Sequence, residues 1–242
     1  MGIYNIHAGH AAVGKGATGA VGLISESAEN RRVKDEVVRL LRLLGHTVYD
    51  CTVDAGNKEQ VLSGIVKKCN QHKVDVDVSI HFNSGVSDQN GDGRTTGVEA
   101  YVYSPGDMSQ PSTIAAKNIT NTISAWMGLK NRGVKDGRNL YVVRKTQSPC
   151  ALIECCFVGD KDDILHYDHT LMAEAIVFGL TGQQYVEPAV DVDPEAASGG
   201  TPVGDTDAIF RVQVGAYRNK SNAEALRDKL IAAGFDAIIA KA

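Results

Sequence analysis

The sequence contains no long apolar run, no pair of cysteines at C-x-x-C spacing and no excess of positive charge. Its net charge is −4, from 25 basic and 29 acidic side chains. This balance argues against a nucleic-acid-binding protein, which would usually carry a clear basic excess. Because no stretch reaches the roughly 18 to 20 apolar residues of a membrane span, we expect no membrane insertion. The five cysteines, without a C-x-x-C pair, argue against a thiolate zinc site and are expected to be buried and reduced.

Several further motifs are missing. The beginning of the chain has neither the basic region nor the apolar region of a signal peptide, so the sequence predicts a protein that is made in the cytoplasm. The glycine-rich stretch 9–22 lacks G-x-x-x-x-G-K-[ST], which excludes a phosphate-binding loop of the NTPase type. There is no H-E-x-x-H motif, so any metal ligands must come from separate segments.

Strand-like and helix-like segments alternate along the first three quarters of the chain. This alternation predicts an α/β fold with a mixed, mostly parallel sheet flanked by helices. The strands are predicted at residues 3–6, 46–49, 74–82, 97–103, 140–143 and 151–157. The helices are predicted at residues 29–44, 58–71, 112–127 and 168–180.

The composition changes near residue 183. Residues 187–207 contain six acids, three prolines and three glycines but no lysine or arginine, which is typical of a linker. We therefore predict a first domain over residues 1–182, an acidic Pro/Gly linker over 183–207 and a small βαβ unit over 208–242. In that unit, strands at 209–215 and 235–240 flank a helix at 221–233, and the unit is too small to bury a full core alone.

Three side chains are predicted to gather at one edge of the sheet. His10 follows the first strand, His81 lies at the end of strand 74–82, and Glu26 lies just before the first helix. Ligands of open α/β sheets collect beyond the carboxyl ends of the strands. Two imidazoles and one carboxylate suit Zn²⁺ and leave a position for water. The alternative to Glu26 as the carboxylate ligand is Glu29.

A further carboxylate stands inside an apolar strand. Glu154 interrupts the apolar run of residues 151–157, where an acid is costly unless it is paired or functional. A carboxylate beside a metal-activated water can act as a general base and pass the proton to a leaving amine. Glu154 is therefore the candidate catalytic residue.

Read together, these residues resemble a known family, the zinc-dependent N-acetylmuramoyl-L-alanine amidases called amidase-3. The resemblance covers residues 1–182. Its motifs are Gly9-His10, Gly22-Leu23 with Glu26 and Asn30, Ser79-Ile80-His81-Phe82-Asn83, Glu154 three residues before Phe157, and Asn131-Arg132-Gly133-Val134.

The resemblance implies a peptidoglycan hydrolase that cleaves the amide between N-acetylmuramic acid and L-alanine. It implies Zn²⁺ as the cofactor, held by His10, Glu26 and His81, with Glu154 as the catalytic base. The family often has Asp-Pro-Gly-His-Gly-Gly where this chain has His-Ala-Gly-His-Ala-Ala at residues 7–12. We interpret His7 as a residue behind the ligands or facing the substrate rather than as a ligand.

The end of the chain resembles a second family. Residues 210–217 and the later segment to Phe235 are similar to the opening of a SPOR domain, a module that binds peptidoglycan glycan strands. About half of such a domain is present, so two copies of the chain could form a homodimer by pairing their C-terminal units. The alternative is that the unit docks on its own catalytic domain.

The resemblance also bears on where the protein acts. A wall hydrolase without a signal peptide is expected to act on the extracellular cell wall after release, as a phage or prophage endolysin does. A sporulation or mother-cell lysis amidase is the alternative setting. Other activities left open are a zinc peptidase or carboxypeptidase that acts on stem peptides, and a wall-binding protein without catalysis.

Overall fold

The computed structural model describes residues 1–85, 87–94, 96–186, 220–232 and 237–239. It divides into two units, Met1–Tyr185 and Val186–Ala242. In the first unit, the strands are β1 (Ile3–Ala8), β2 (Thr47–Asp50), β3 (Val76–Asn83), β4 (Val98–Val102), β5 (Asn131–Asp136) and β6 (Cys150–Phe157). The helices of that unit are α1 (Glu26–Leu43), α2 (Lys58–Cys69), α3 (Pro111–Met127), α4 (Tyr141–Lys145), α5 (Lys161–His166) and α6 (His169–Thr181).

The six strands form one sheet in the order β2-β1-β3-β6-β4-β5. Strands β1, β2, β3 and β6 run in the same direction, whereas β4 pairs with β6 in antiparallel orientation and with β5 in parallel orientation. The prediction of a mixed, mostly parallel sheet is confirmed. Because β1, β3 and β6 are parallel, their carboxyl ends lie at the same edge of the sheet.

The sheet is covered by helices on both faces. Successive side chains along each strand point to opposite faces and so enter two separate cores. On one face, Ile6, Ile80 and Ile153 are fully buried with side chains of α1, α3 and α6. On the other face, Leu152 packs in a smaller cluster with residues of α2 and α4. Fully burying each such side chain contributes roughly 1.5–3 kcal/mol. All five cysteines are buried and free, as expected.

Three elements differ from the prediction, one of them being helix α5 (Lys161–His166), which was not predicted. Residues 140–143, predicted as a strand, lie at the start of helix α4, and strand β5 was not predicted at all. The segment Leu-Tyr-Val-Val is a short apolar run, and periodicity cannot distinguish a buried helix turn from a strand at that length. β5 lies at the edge of the sheet and is only partly buried, so its polar sequence shows no alternation of apolar residues.

Helix α1 begins three residues earlier than predicted. The prediction placed its start at Glu29, whereas Ser25 is the N-cap and Glu26 is the first helical residue. Acids are favourable in the first turn of a helix, so both Glu26 and Glu29 fit the helix dipole. This shift places Glu26 on a rigid element rather than in the preceding loop.

In the second unit, the structure describes helix α7 (Lys220–Ala232), close to the helix predicted at 221–233. The predicted strand at 209–215 and most of the predicted linker at 183–207 lie outside the described residues. Of the strand predicted at 235–240, only 237–239 are described, and they are not assigned to a strand. Among the described helices, none combines the length and apolar character that crossing a bilayer requires.

Candidate metal centre

The three predicted ligands meet at the shared edge of β1, β3 and β6. His10 lies two residues beyond the end of β1, and His81 is the third residue from the end of β3. Glu26 is the first residue of α1. One ligand atom from each of the three lies within 4.8 Å of the others. The structure therefore brings together the residues that the sequence placed at one sheet edge.

Glu26 connects the two histidines. Its Oε1 lies 3.3 Å from His10 Nε2 and 3.0 Å from His81 Nδ1. The same carboxylate accepts the backbone N–H of Phe82 at 3.2 Å and, through Oε2, that of Ala20 at 2.9 Å. Two imidazole nitrogens and one carboxylate oxygen, converging on one point, are a donor set that fits Zn²⁺.

The electrostatics of the three groups follow from this contact. Burial acts to raise the pKa of Glu26, but hydrogen bonds from His10 and His81 outweigh it and hold the pKa well below its usual range. Burial acts to lower the pKa of His81, and the hydrogen bond with Glu26 raises it above its ordinary value. Glu26 is thus an ionised carboxylate, which is the form that binds a metal.

Two glycines leave space for the side chains of His81 and Glu26. A Cβ on Gly9 would clash with Cε1 of His81, and a Cβ on Gly19 would clash with Oε2 of Glu26. Any larger residue at these positions would displace a ligand side chain. The glycine-rich loop is therefore required by close approach at the site.

The turn that carries His10 is held from helix α1. His10 has a φ of 58°, in the left-handed region that non-glycine residues rarely adopt. Asn30, which is fully buried, donates from Nδ2 to the Gly9 carbonyl at 2.9 Å. Arg31 donates from Nη2 to the His10 carbonyl at 3.0 Å. These contacts give a physical role to the Asn that follows Glu26 by four residues.

Glu29, the alternative to Glu26, faces elsewhere. Its Oε2 accepts the hydroxyl of Tyr167 at 2.9 Å, and its Oε1 lies 3.3 Å from Nη1 of Arg32. It does not belong to the group formed with His10 and His81. The geometry thus separates two acids that are only three residues apart.

Glu154 lies beside the cluster on the neighbouring strand. It is in register with His81 in the β3–β6 ladder, so both side chains project from the same face of the sheet. Both residues line one cleft of about 320 Å³ together with His10 and Glu26. Burial raises the pKa of Glu154 to about 7; His81 opposes the increase, and the carboxylates of Glu26 and Glu99 add to it. Among the described residues, its Oε2 has no hydrogen-bond partner.

His7 is fully buried on the same face of the sheet. Its Nδ1 lies 3.4 Å from the hydroxyl of Ser79. Burial and the nearby His81 lower its pKa to about 3, so the imidazole is neutral. Complete burial places His7 behind the cluster and not at a substrate-facing surface.

One functional candidate was missed in the sequence. Glu99 of β4 is in register with Glu154, and it is buried with Arg132 Nε at 2.6 Å and Lys135 Nζ as ion-pair partners. Asn83, which lines the cleft, donates to Glu99 Oε1 at 2.7 Å. Burial acts to raise the pKa of Glu99, but these cations lower it to about 2. An acid inside the apolar strand Val98–Val102 is the same signal that identified Glu154.

The fold and the cluster define an α/β protein with a His-Glu-His group that could hold a metal ion at the carboxyl edge of its sheet. A family model described as N-acetylmuramoyl-L-alanine amidase (Amidase_3) matches residues 5–181. The chain belongs to this family. A model described as SPOR domain matches residues 206–242.

Two curated relatives are similar to this chain in sequence. An uncharacterized protein of Clostridium perfringens is 34% identical over 167 residues, which cover 66% of this chain and 48% of that protein. A sporulation-specific N-acetylmuramoyl-L-alanine amidase of Bacillus subtilis is 27% identical over 170 residues, which cover 70% and 58% of the two chains. The chain thus matches about half to three fifths of the length of these relatives.

Solved structures share the fold. The catalytic domain of the CD27L endolysin targeting Clostridia difficile aligns with a TM-score of 0.64 at 23% identity, covering 77% of this chain and all of that domain. The catalytic domain of CwlV, an N-acetylmuramoyl-L-alanine amidase from Bacillus (Paenibacillus) polymyxa, aligns with a TM-score of 0.57 at 27% identity. That alignment covers 75% of this chain and 97% of the CwlV domain.

Proposed function

We propose that the protein hydrolyses the amide bond between the lactyl group of N-acetylmuramic acid and L-alanine in bacterial peptidoglycan. The observation that carries the proposal is the His10–Glu26–His81 group with Glu154 in register beside it, in a chain of the amidase family. The named activities of the related amidases from Bacillus support the choice of bond.

His10, Glu26 and His81 would hold Zn²⁺ in this reaction. Zn²⁺ bound there supplies Lewis-acid chemistry, since it polarises a carbonyl and lowers the pKa of water towards about 7. The residues of the chain fix the donor geometry: Glu26 is anchored by two backbone N–H groups, and the His10 turn is anchored by Asn30. Such outer contacts preserve ligand orientation.

Glu154 acts as the general base and then as the general acid. Its unpartnered Oε2 takes a proton from the attacking water and returns it to the amide nitrogen as the bond to the lactyl carbonyl breaks. A pKa of about 7 suits a group that both accepts and donates a proton near neutral pH. Its burial beside β3 keeps the carboxylate aimed into the cleft.

The test is the loss of turbidity of purified cell walls, with product analysis and metal analysis of each variant. We expect Glu154→Gln to lower the rate about 10²–10⁴-fold with zinc retained, and Glu26→Gln to lose zinc. Glu29→Gln is the matched control and keeps both zinc and activity, because Glu29 lies outside the group. Full activity in Glu154→Gln would overturn the assignment of the base.

Product analysis separates the proposed amidase from a zinc peptidase or carboxypeptidase. An amidase releases intact stem peptides that carry a free N-terminal alanine, with no amino acid removed from the peptide end. Release of single amino acids or of shortened peptides would favour the peptidase. If no product of either reaction appears at any wall concentration, the result would favour a wall-binding protein without catalysis.

We further propose that residues 1–182 form the catalytic domain and that 208–242 form a unit that binds peptidoglycan glycan strands. The match to the SPOR family supports the second part. Sedimentation with purified wall sacculi checks it: the full chain should bind more tightly than a chain that ends at Tyr185. Pairing of two chains through this unit stays a prediction, and the mass in solution at several concentrations tests it.

The biological setting also stays a prediction. We expect the protein to act on the extracellular wall after release, as an endolysin, with a sporulation or mother-cell lysis amidase as the alternative. The similar proteins include an endolysin domain and a sporulation-specific amidase. The expression time of the gene, during host lysis or during sporulation, separates the two.

A further inference from the structure

A second group of carboxylates lies apart from the His-Glu-His cluster. Asp88, Asp160 and Asp162 each place one carboxylate oxygen within 4.8 Å of the others. Asp88 belongs to the loop that follows β3, whereas Asp160 and Asp162 lie in the segment that follows β6. The two segments are joined by the backbone, since Asp88 N donates to the Gly159 carbonyl and Lys161 N donates to the Asp88 carbonyl, each at 2.9 Å.

The loop carries a recognisable calcium-loop pattern. Residues 88–93 read Asp-Gln-Asn-Gly-Asp-Gly, which matches the D-x-[DN]-x-[DN]-G opening of the EF-hand loop. In that loop a glutamate at the twelfth position completes the coordination, and Glu99 stands at this position. Here Glu99 is instead buried in β4 with Arg132 and Lys135. A cation bound by this loop would therefore need its further carboxylate ligand from another segment.

Asp160 and Asp162 stand where such ligands are needed. Asp162 Oδ2 accepts the backbone N–H of Gly93 at 2.8 Å, so the glycine that ends the pattern lies directly against this acid. None of the three clustered acids forms an ion pair with a lysine or arginine in the part of the chain that the structure describes. Three acids without a paired cation repel one another unless an ion lies between them.

An unsatisfied buried oxygen points to that ion. Asp160 is fully buried; its Oδ1 accepts the backbone N–H of Asp163 at 3.0 Å as the cap of α5. Its Oδ2 has no hydrogen-bond partner among the residues described. Burial raises the pKa of Asp160, and the carboxylates of Asp163, Asp162 and Asp88 raise it further. Buried polar oxygens without a protein partner usually bind an ordered water or an ion.

We propose that Asp88, Asp160 and Asp162 bind Ca²⁺, which fastens loop 87–94 to the segment after β6. All the donors are oxygens, which suits a hard cation, and an irregular loop fits the flexible coordination of Ca²⁺ better than the strict octahedron of Mg²⁺. The loop follows the strand that carries His81, and the partner segment follows the strand that carries Glu154. The ion thus connects the two segments that follow β3 and β6, the strands that carry His81 and Glu154.

The experiment is calcium titration of the full chain. The protein is freed of metals on a chelating resin, supplied with one equivalent of ZnCl₂, and titrated with CaCl₂ in a calorimeter. We expect one site with a Kd on the order of 10⁻⁴–10⁻³ M, as in extracellular calcium modules. Calcium at about 100 times the Kd should raise the Tm by roughly 5–10 °C. MgCl₂ should bind more weakly.

Two variants and one control make the result specific. Asp162→Asn and Asp88→Asn each remove one carboxylate from a partly exposed position, and each should weaken calcium binding at least tenfold. Asp35→Asn is the control, because it removes the same charge from an exposed site on α1. No binding heat and no Tm shift in the folded wild type would overturn the proposal. Undiminished binding in both variants, or tighter binding of Mg²⁺, would overturn it as well.

Discussion

Asp77 provides a direct test of how the buried polar face of the sheet affects stability. It is fully buried in β3, and no hydrogen bond of good geometry reaches either of its carboxylate oxygens from the described residues, although the side chains of Asn5 and Cys69 interact weakly with it. Burial raises its pKa from 3.8 to about 6, although the side chains of Asn5 and Cys69 partly oppose the increase. An acid whose pKa is raised in the folded state destabilises that state once it ionises.

The magnitude follows from the difference between the two pKa values. The increase of the pKa from 3.8 to about 6 corresponds to about 3 kcal/mol, since each tenfold change in proton affinity is worth about 1.36 kcal/mol. Below about pH 3.8, Asp77 is protonated in both states and imposes no penalty. Between about pH 4 and pH 6 the unfolded state releases its proton first, so stability falls as pH rises; above about pH 6 the penalty is complete.

Asp77→Asn keeps the shape and removes the ionisation. We expect the difference in unfolding free energy, variant minus wild type, to increase by about 2.4 kcal/mol between pH 4 and pH 7, because the remainder of the penalty develops below pH 4. Any constant effect of the amide shifts this difference curve without changing its slope. Urea unfolding of both proteins at half-unit pH steps measures it. Parallel stability curves for the two proteins would refute the reasoning.

Three further substitutions test the supports of the proposed zinc site and one helix cap. Asn30→Ala removes the hydrogen bond to the Gly9 carbonyl; we expect it to weaken zinc binding about 10–100-fold, as measured by competition with a chelating dye. Gly19→Ala places a Cβ against Glu26 and should lower the zinc content after dialysis, while circular dichroism stays unchanged. Asn57→Ala breaks the capping box with Gln60 and should cost about 1 kcal/mol in urea unfolding, without any change in zinc content.

The parts of the fold that were predictable are those with a strong local pattern. The buried strands β1, β3 and β6 and the amphipathic helices α1 and α2 were recognised from runs and periodicity, and they position most of the site. Strand β5 had no such pattern, because an edge strand is satisfied by pairing on one side and can remain polar on its surfaces. Val142 and Val143 gave a misleading pattern, which predicted a strand at residues 140–143. A pair of β-branched residues buried in a short helix has the same local sequence as a short strand.

The choice between Glu26 and Glu29 rested on family spacing and not on physics. Both acids occupy the first turn of α1, and a helix advances about 100° per residue, so three residues separate their directions by about 60°. Only the position of α1 against β1 and β3 decides which carboxylate reaches the histidines. Similarly, the pairing of Glu99 with Arg132 depends on β4 and β5 being neighbours, which no local pattern encodes.

The register between β3 and β6 has a consequence for how this enzyme family can vary. His81 and Glu154 are neighbours on the same face of the sheet, and the hydrogen-bonded ladder between β3 and β6 fixes their relative position. The register is continuous up to this pair and shifts at a bulge between His81 and Asn83. A one-residue insertion or deletion on the N-terminal side of either residue, within its strand, would therefore rotate it to the opposite face, into the apolar core under α1 and α3. Length changes are therefore expected to accumulate in the connecting loops, whereas these two strands should behave as fixed-length modules during recombination or domain grafting.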